Sequence, residues 1–180
     1  MISLRSDITQ KVLGYFMLHE TANLYINEMA RRLSVDDGNL TRKLKELEQE
    51  GIFKSELKGK ERYYSLNRSF PLLKEYKKII LKTVGFEHTL KESLREVKGL
   101  KQAIIFGSYA ENKMDASSDI DLLAVGDHDT IDLQRKVSAL KKTLDREINI
   151  ISMSESEYQR KKKVHPLLKS IQQKKKIVIL

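Results

Sequence analysis

Asp119 and Asp121 stand two residues apart where a polar loop runs into the apolar stretch Ile120 to Val125. Residues at i and i+2 of a strand point to the same face. Both carboxylates therefore project together from a segment whose other side chains favour burial. Like charges in that position are costly unless something neutralises them. A divalent cation that prefers hard oxygen ligands, Mg²⁺ or Mn²⁺, is the simplest neutraliser. The alternative is an edge strand carrying two solvated aspartates. Upstream, a second apolar run, Ala103 to Phe106, closes in Gly107-Ser108, and the polar loop joins the two runs.

Gly-Ser, ten intervening residues and then Asp-x-Asp resembles the nucleotidyltransferase signature of the DNA polymerase β superfamily, above all its minimal single-domain members. The resemblance spans roughly residues 100–180. It implies that Asp119 and Asp121 are catalytic metal ligands and that Gly107 and Ser108 cradle nucleotide phosphates. The physics agrees, because a helix N-terminus attracts anions and a glycine there lets backbone approach phosphate. The family also carries a third carboxylate on a later strand. Here that strand is Arg146 to Met153, and the expected position holds Asn149. An amide ligates metal more weakly than a carboxylate and is no general base. Glu147, two residues earlier on the same strand face, is the alternative third ligand. Tyr109 and Glu111 stand where minimal members often carry basic residues. Asn112 replaces a common glycine and tolerates the left-handed conformation.

The chain has 180 residues, a formal net charge of +9 and no cysteine. That length allows one large or two small domains. The absence of cysteine excludes disulfides and thiolate metal sites and fits a reducing cytoplasm. No apolar run reaches the length of a membrane span and no signal peptide is visible. The basic balance favours polyanionic partners. The four histidines are scattered, and His128 reads as a turn residue. No P-loop or GxGxxG pattern occurs.

The first seventy or so residues read as three helices and a hairpin. Ile8, Val12, Leu13, Phe16 and Met17 recur at helical spacing. Tyr25 to Leu33 is a short second helix. Asp36 caps a third, Asp37 to about Glu50, which Gly51 ends. Ile52–Leu57 and Arg62–Leu66 are strands about a Lys58-Gly59-Lys60-Glu61 turn. This order resembles a winged helix-turn-helix over roughly residues 5–68. The resemblance implies a third helix in the DNA major groove, with Asn39, Thr41, Arg42 and Lys43 near base edges and Lys58, Lys60 and Arg62 near phosphates. The alternative is a winged helix used for protein contact.

Residues 71–98 read as a linking helix with an apolar stripe that suits packing against its own domains or against a second copy of the chain, and Gly85 as its kink or break. Beyond it lies a small mixed sheet with helices. Its strands are Ala103–Phe106, Ile120–Val125, Ile148–Ser152 and Ile177–Leu180. Asp129 caps a helix over Thr130–Leu144, and a capping box opens at Ser154. The expected fold is therefore α+β: a winged helix over 1–70, a linking helix over 71–98 and a nucleotidyltransferase-like domain over 99–180. The expected partners are double-stranded DNA, an NTP (ATP), a protein acceptor and a second copy, with no membrane. Two functions remain open at this point. One is metal-dependent transfer of NMP to an acceptor hydroxyl, in the manner of antitoxins that add AMP to a toxin. The other is a non-catalytic regulator with a nucleotide-sensing domain.

Overall fold

A computed structural model describes residues 2–115 and 117–180. The chain divides into two compact units, Met1–His88 and Thr89–Leu180.

The first unit runs α1 (Asp7–Leu18), β1 (Leu24–Tyr25), α2 (Ile26–Leu33), α3 (Asp37–Gln49), β2 (Phe53–Lys58), β3 (Glu61–Leu66) and α4 (Leu73–Thr83). Val12, Leu13, Phe16 and Met17 bury one face of α1, and Leu40, Leu44 and Leu47 bury one face of α3. The 3.6-residue period of both runs makes this possible. Phe16 meets Phe53 edge-to-face, ring centroids 4.9 Å apart. Asp36 caps α3 by accepting from the Asn39 amide at 2.8 Å. The turn between α2 and α3 uses Ser34 in the left-handed region, φ 51°. β2 and β3 form the wing hairpin, with Lys58 opposite Glu61 at its tip. Two residues before α2 are extended and join the sheet as β1, giving the order β1-β3-β2. This is a winged helix.

The predicted linking helix is two helices. α4 ends at Thr83, and α5 (Phe86–Arg95) follows Gly85. A Cβ on Gly85 would lie 3.0 Å from the Ile80 carbonyl oxygen, so the chain closes tightly on itself at the break. α4 packs against α1.

The second unit continues with β4 (Leu100–Phe106), α6 (Gly107–Ala110), β5 (Ile120–Gly126), α7 (Thr130–Leu144), β6 (Ile148–Met153), α8 (Glu155–Lys161), α9 (Pro166–Gln173) and β7 (Ile177–Val178). The sheet order is β6-β5-β4-β7. β4 is antiparallel to β5 and β7, while β5 and β6 are parallel. A parallel pair needs a crossover, which α7 supplies. One sheet face packs Ile104, Leu123 and Val125 against Leu168 and Ile171 of α9, with Phe106, Ile151 and Met153 around them. Asp129 caps α7 and Ser154 caps α8. Pro166 opens α9 at a position where its missing N–H costs nothing.

Candidate active site

β5 is the second strand of its sheet, and its first residue, Ile120, is fully buried. The Ile120 amide donates to the Glu147 carbonyl at 3.0 Å, which locks the start of β5 to the start of β6. In this register Asp121 lies between Phe106 of β4 and Asn149 of β6. By strand alternation, Asp121 shares the sheet face of Leu123 and Val125, the face that α9 covers. The Asn149 amide donates to Asp119 Oδ2 at 3.3 Å. Asp119, Asp121 and Asn149 thus gather at one end of one face.

The turn after β4 meets them. Gly107 has φ 71°, a left-handed conformation that glycine adopts without a Cβ clash. A Cβ at Gly107 would lie 2.3 Å from Asp121 Oδ2. The carboxylate therefore rests directly against the Gly107 backbone. Ser108 follows in α6, half-buried, and its carbonyl accepts from the Lys113 amide at 2.9 Å. Asn112 takes φ 56°, the conformation expected of an asparagine in a glycine position.

The loop into Asp119 is tied at Asp115. Its carboxylate accepts from the Ser117 amide and hydroxyl and from the Ser118 hydroxyl, each at 2.9 Å. Those bonds, the Ser118 hydroxyl first, hold its carboxyl below the usual aspartate range. Arg146 donates to the Ser118 carbonyl at 3.1 Å.

Glu147, the alternative third ligand, is exposed and ion-paired with Lys141 of α7. Among the described residues, no three His, Cys, Asp or Glu side chains gather as a metal cluster. The donor set is two carboxylates and one amide. That set fits one Mg²⁺-like ion, which keeps several waters and takes further oxygens from substrate phosphates.

A cleft of about 200 Å³ opens beside Gly107. Phe106, Leu167, Ile171, Glu111, Ser170, Lys174 and Lys175 line it. Glu111 accepts from Lys113 at 2.7 Å and sits 3.8 Å from Lys174 Nζ. These lysines, Lys113 foremost, hold the Glu111 carboxyl below its ordinary range. The sequence reading passed over Lys174 and Lys175. In the basic run Arg160 to Lys163, Lys161 pairs with Glu157 at 2.5 Å. His128 lies past the far end of β5, with Nε2 2.9 Å from the Ser152 hydroxyl.

In the first unit, Asn39 and Arg42 are exposed on α3 and bonded to each other at 3.3 Å. Thr41 and Lys43 are half-buried. The Thr41 hydroxyl donates to the Asp37 carbonyl at 2.7 Å, and Lys43 pairs with Glu46. Lys58, Lys60 and Arg62 are exposed on the hairpin. Lys58 lies over the Tyr63 ring and 3.6 Å from Glu56. Arg62 donates to the Ser55 hydroxyl at 2.8 Å.

Comparison with known proteins matches residues 88–178 to the family described as polymerase beta, nucleotidyltransferase. Residues 15–56 match the MarR family. A protein of Methanocaldococcus jannaschii named "Putative protein adenylyltransferase MJ0435" is 37% identical over 73 residues, 39% of this chain and 70% of that protein. Among solved structures, a toxin-antitoxin with AMP-PNP aligns over 52% of this chain and 72% of its own, at 19% identity and TM-score 0.38. A "putative nucleotidyltransferase" from Sulfolobus solfataricus aligns over 42% of this chain and 68% of its own, at 25% identity and TM-score 0.30. No helix among the described residues is long and apolar enough to cross a membrane.

Proposed function

Because the chain belongs to the polymerase beta nucleotidyltransferase family, we infer that its second unit binds an NTP with Mg²⁺ or Mn²⁺ and transfers the NMP to an acceptor hydroxyl. The observation that carries this reading is the Asp121 carboxylate resting against the Gly107 turn, with Asp119 on the same face. Asp119 and Asp121 hold the ion. Gly107, lacking a Cβ, lets the Asp121 carboxylate close on the turn, and the Ser108 hydroxyl donates to a phosphate oxygen. When bound, the ion neutralises charge on the phosphates. The acceptor oxygen bonds to the α-phosphorus while the α–β bridging bond breaks. Pyrophosphate leaves with that electron pair, and the hydroxyl proton passes to water. The donor is ATP and the acceptor a protein hydroxyl. The name of the M. jannaschii relative, a protein adenylyltransferase, supports both choices.

The first unit binds double-stranded DNA through α3 and the hairpin. The match to the MarR family and the exposed Arg42, Lys58, Lys60 and Arg62 support this. A homodimer matches the two-fold symmetry of such operators, and sedimentation at micromolar concentration tests it. The absence of cysteine fits a cytoplasmic location.

Asn149 favours a second reading, in which the unit binds nucleotide without efficient transfer and signals to the DNA-binding unit. An amide there supplies neither a strong third metal ligand nor a base. Incubation with Mg²⁺ and labelled ATP, with and without the product of a neighbouring gene, separates the two. Label on protein supports transfer. No label, alongside nucleotide-dependent DNA binding in a gel shift, supports the regulator.

A further inference from the structure

Lys174 to Lys176 form the connection between α9 and β7. Their place is set by sheet pairing. Ile177 lies opposite Ile105 and Val178 opposite Ile104. The pairing anchors this connection next to the end of β4, and Gly107 and Lys175 both line the cleft there. It lies on the sheet face that carries Asp119 and Asp121, because Phe106 and Ile171 belong to the packing of that face.

Asp121 rests against Gly107, which lines the cleft, so an anionic carboxylate borders it there and needs a cation before phosphate can approach. Lys174, Lys175 and Glu111 line the same cleft as Gly107. Lys174 Nζ stands 3.8 Å from Glu111 Oε1, with its side chain 64% exposed. Such a solvated pair holds weakly, so the ammonium can change partner at little cost. Glu111 keeps Lys113 as its closer partner at 2.7 Å when Lys174 leaves.

Resting on the reading of this unit as an NTP site, we propose that Lys174 and Lys175 contact the β- and γ-phosphates and select triphosphates over monophosphates. Glu111 holds Lys174 at the rim while the cleft lacks nucleotide and competes with phosphate for it. The connection ahead of the last strand is thus part of the polyphosphate cradle. A lysine ammonium suits this task as a mobile point charge.

Calorimetry on the full chain with Mg²⁺ tests this, using a non-hydrolysable ATP analogue and AMP as separate probes. Lys174→Ala with Lys175→Ala should weaken the analogue about tenfold, the size of losing charge-assisted phosphate contacts, and leave AMP unchanged. Glu111→Gln should tighten the analogue, a gain that misfolding cannot mimic. Equal analogue affinity in wild type and the double-lysine variant overturns the proposal while leaving the NTP site standing. No binding of either probe by wild type overturns the NTP reading itself, and this inference with it.

Discussion

Asp121 fills the space that a side chain at Gly107 would need, its Oδ2 lying 2.3 Å from where that Cβ would sit. The contact joins the end of β4 to the start of β5 across the antiparallel pair Phe106–Asp121. Two demands therefore fall on one residue: a positive φ of 71° and no Cβ. Gly107→Ala should cost about 1–3 kcal/mol of stability in this unit, the usual size of stored backbone strain. It should also push the Asp121 carboxylate aside and abolish binding of a metal–nucleotide complex. Thermal unfolding and calorimetry read the two effects separately. An alanine variant that binds nucleotide like wild type would contradict this geometry.

Asn149 stands beside Asp119, its amide donating to Oδ2 at 3.3 Å. Asn149→Asp replaces that donor with a third carboxylate. The variant should be less stable without metal, because like charges crowd the site. It should bind Mn²⁺ more tightly and transfer label from ATP faster than wild type. Unfolding curves with and without Mn²⁺ should diverge more for the variant than for wild type. If they do not, Asn149 does not face the ion.

Lys60 is exposed at the hairpin tip. The proposed DNA-binding role makes it a phosphate contact, which carries no sequence information. Lys60→Ala should weaken binding to all DNA sequences alike and lower the slope of log affinity against log salt by about one. Arg42→Ala on α3 should instead alter sequence preference. Fluorescence anisotropy at several salt concentrations, on specific and scrambled duplexes, checks both.

The Asp115 carboxyl is held below the usual aspartate range by the hydroxyls of Ser118 and Ser117 and the Ser117 amide. A group depressed on folding adds stability that is fully present above its unfolded pKa. That contribution is lost as pH falls through the folded pKa. The tie before Asp119 should therefore hold at neutral pH and release only below the ordinary aspartate range. Side-chain NMR titration should show Asp115 titrating below a model peptide. Asp115→Asn should leave the Ser117 and Ser118 signals insensitive to acid.

Local signals in the sequence survive folding best. The caps at Asp36, Asp129 and Ser154 are all present, because a cap depends on residues two or three positions away. The strand period places Asp121 on the face of Leu123 and Val125, whereas Asp119 precedes β5 and is brought near by its bond to Asn149. β1 was not legible, because Leu24 and Tyr25 become a strand only through Tyr64 and Tyr63 of β3. Lys174 and Lys175 escaped for the same reason. Their nearness to Gly107 depends on β7 pairing with a strand about seventy residues earlier. The break in the linking segment was legible at Gly85, because a glycine there allows the close backbone approach to Ile80 that separates α4 from α5.

The proposal that Asp119 and Asp121 share a cation is tested most directly by titrating Mn²⁺ with a non-hydrolysable ATP analogue into the full chain. Wild type should bind the analogue only when Mn²⁺ is present. Asp119→Asn with Asp121→Asn should remove that binding and leave DNA affinity unchanged. Analogue binding that needs no cation, or that persists in the double variant, would contradict the account.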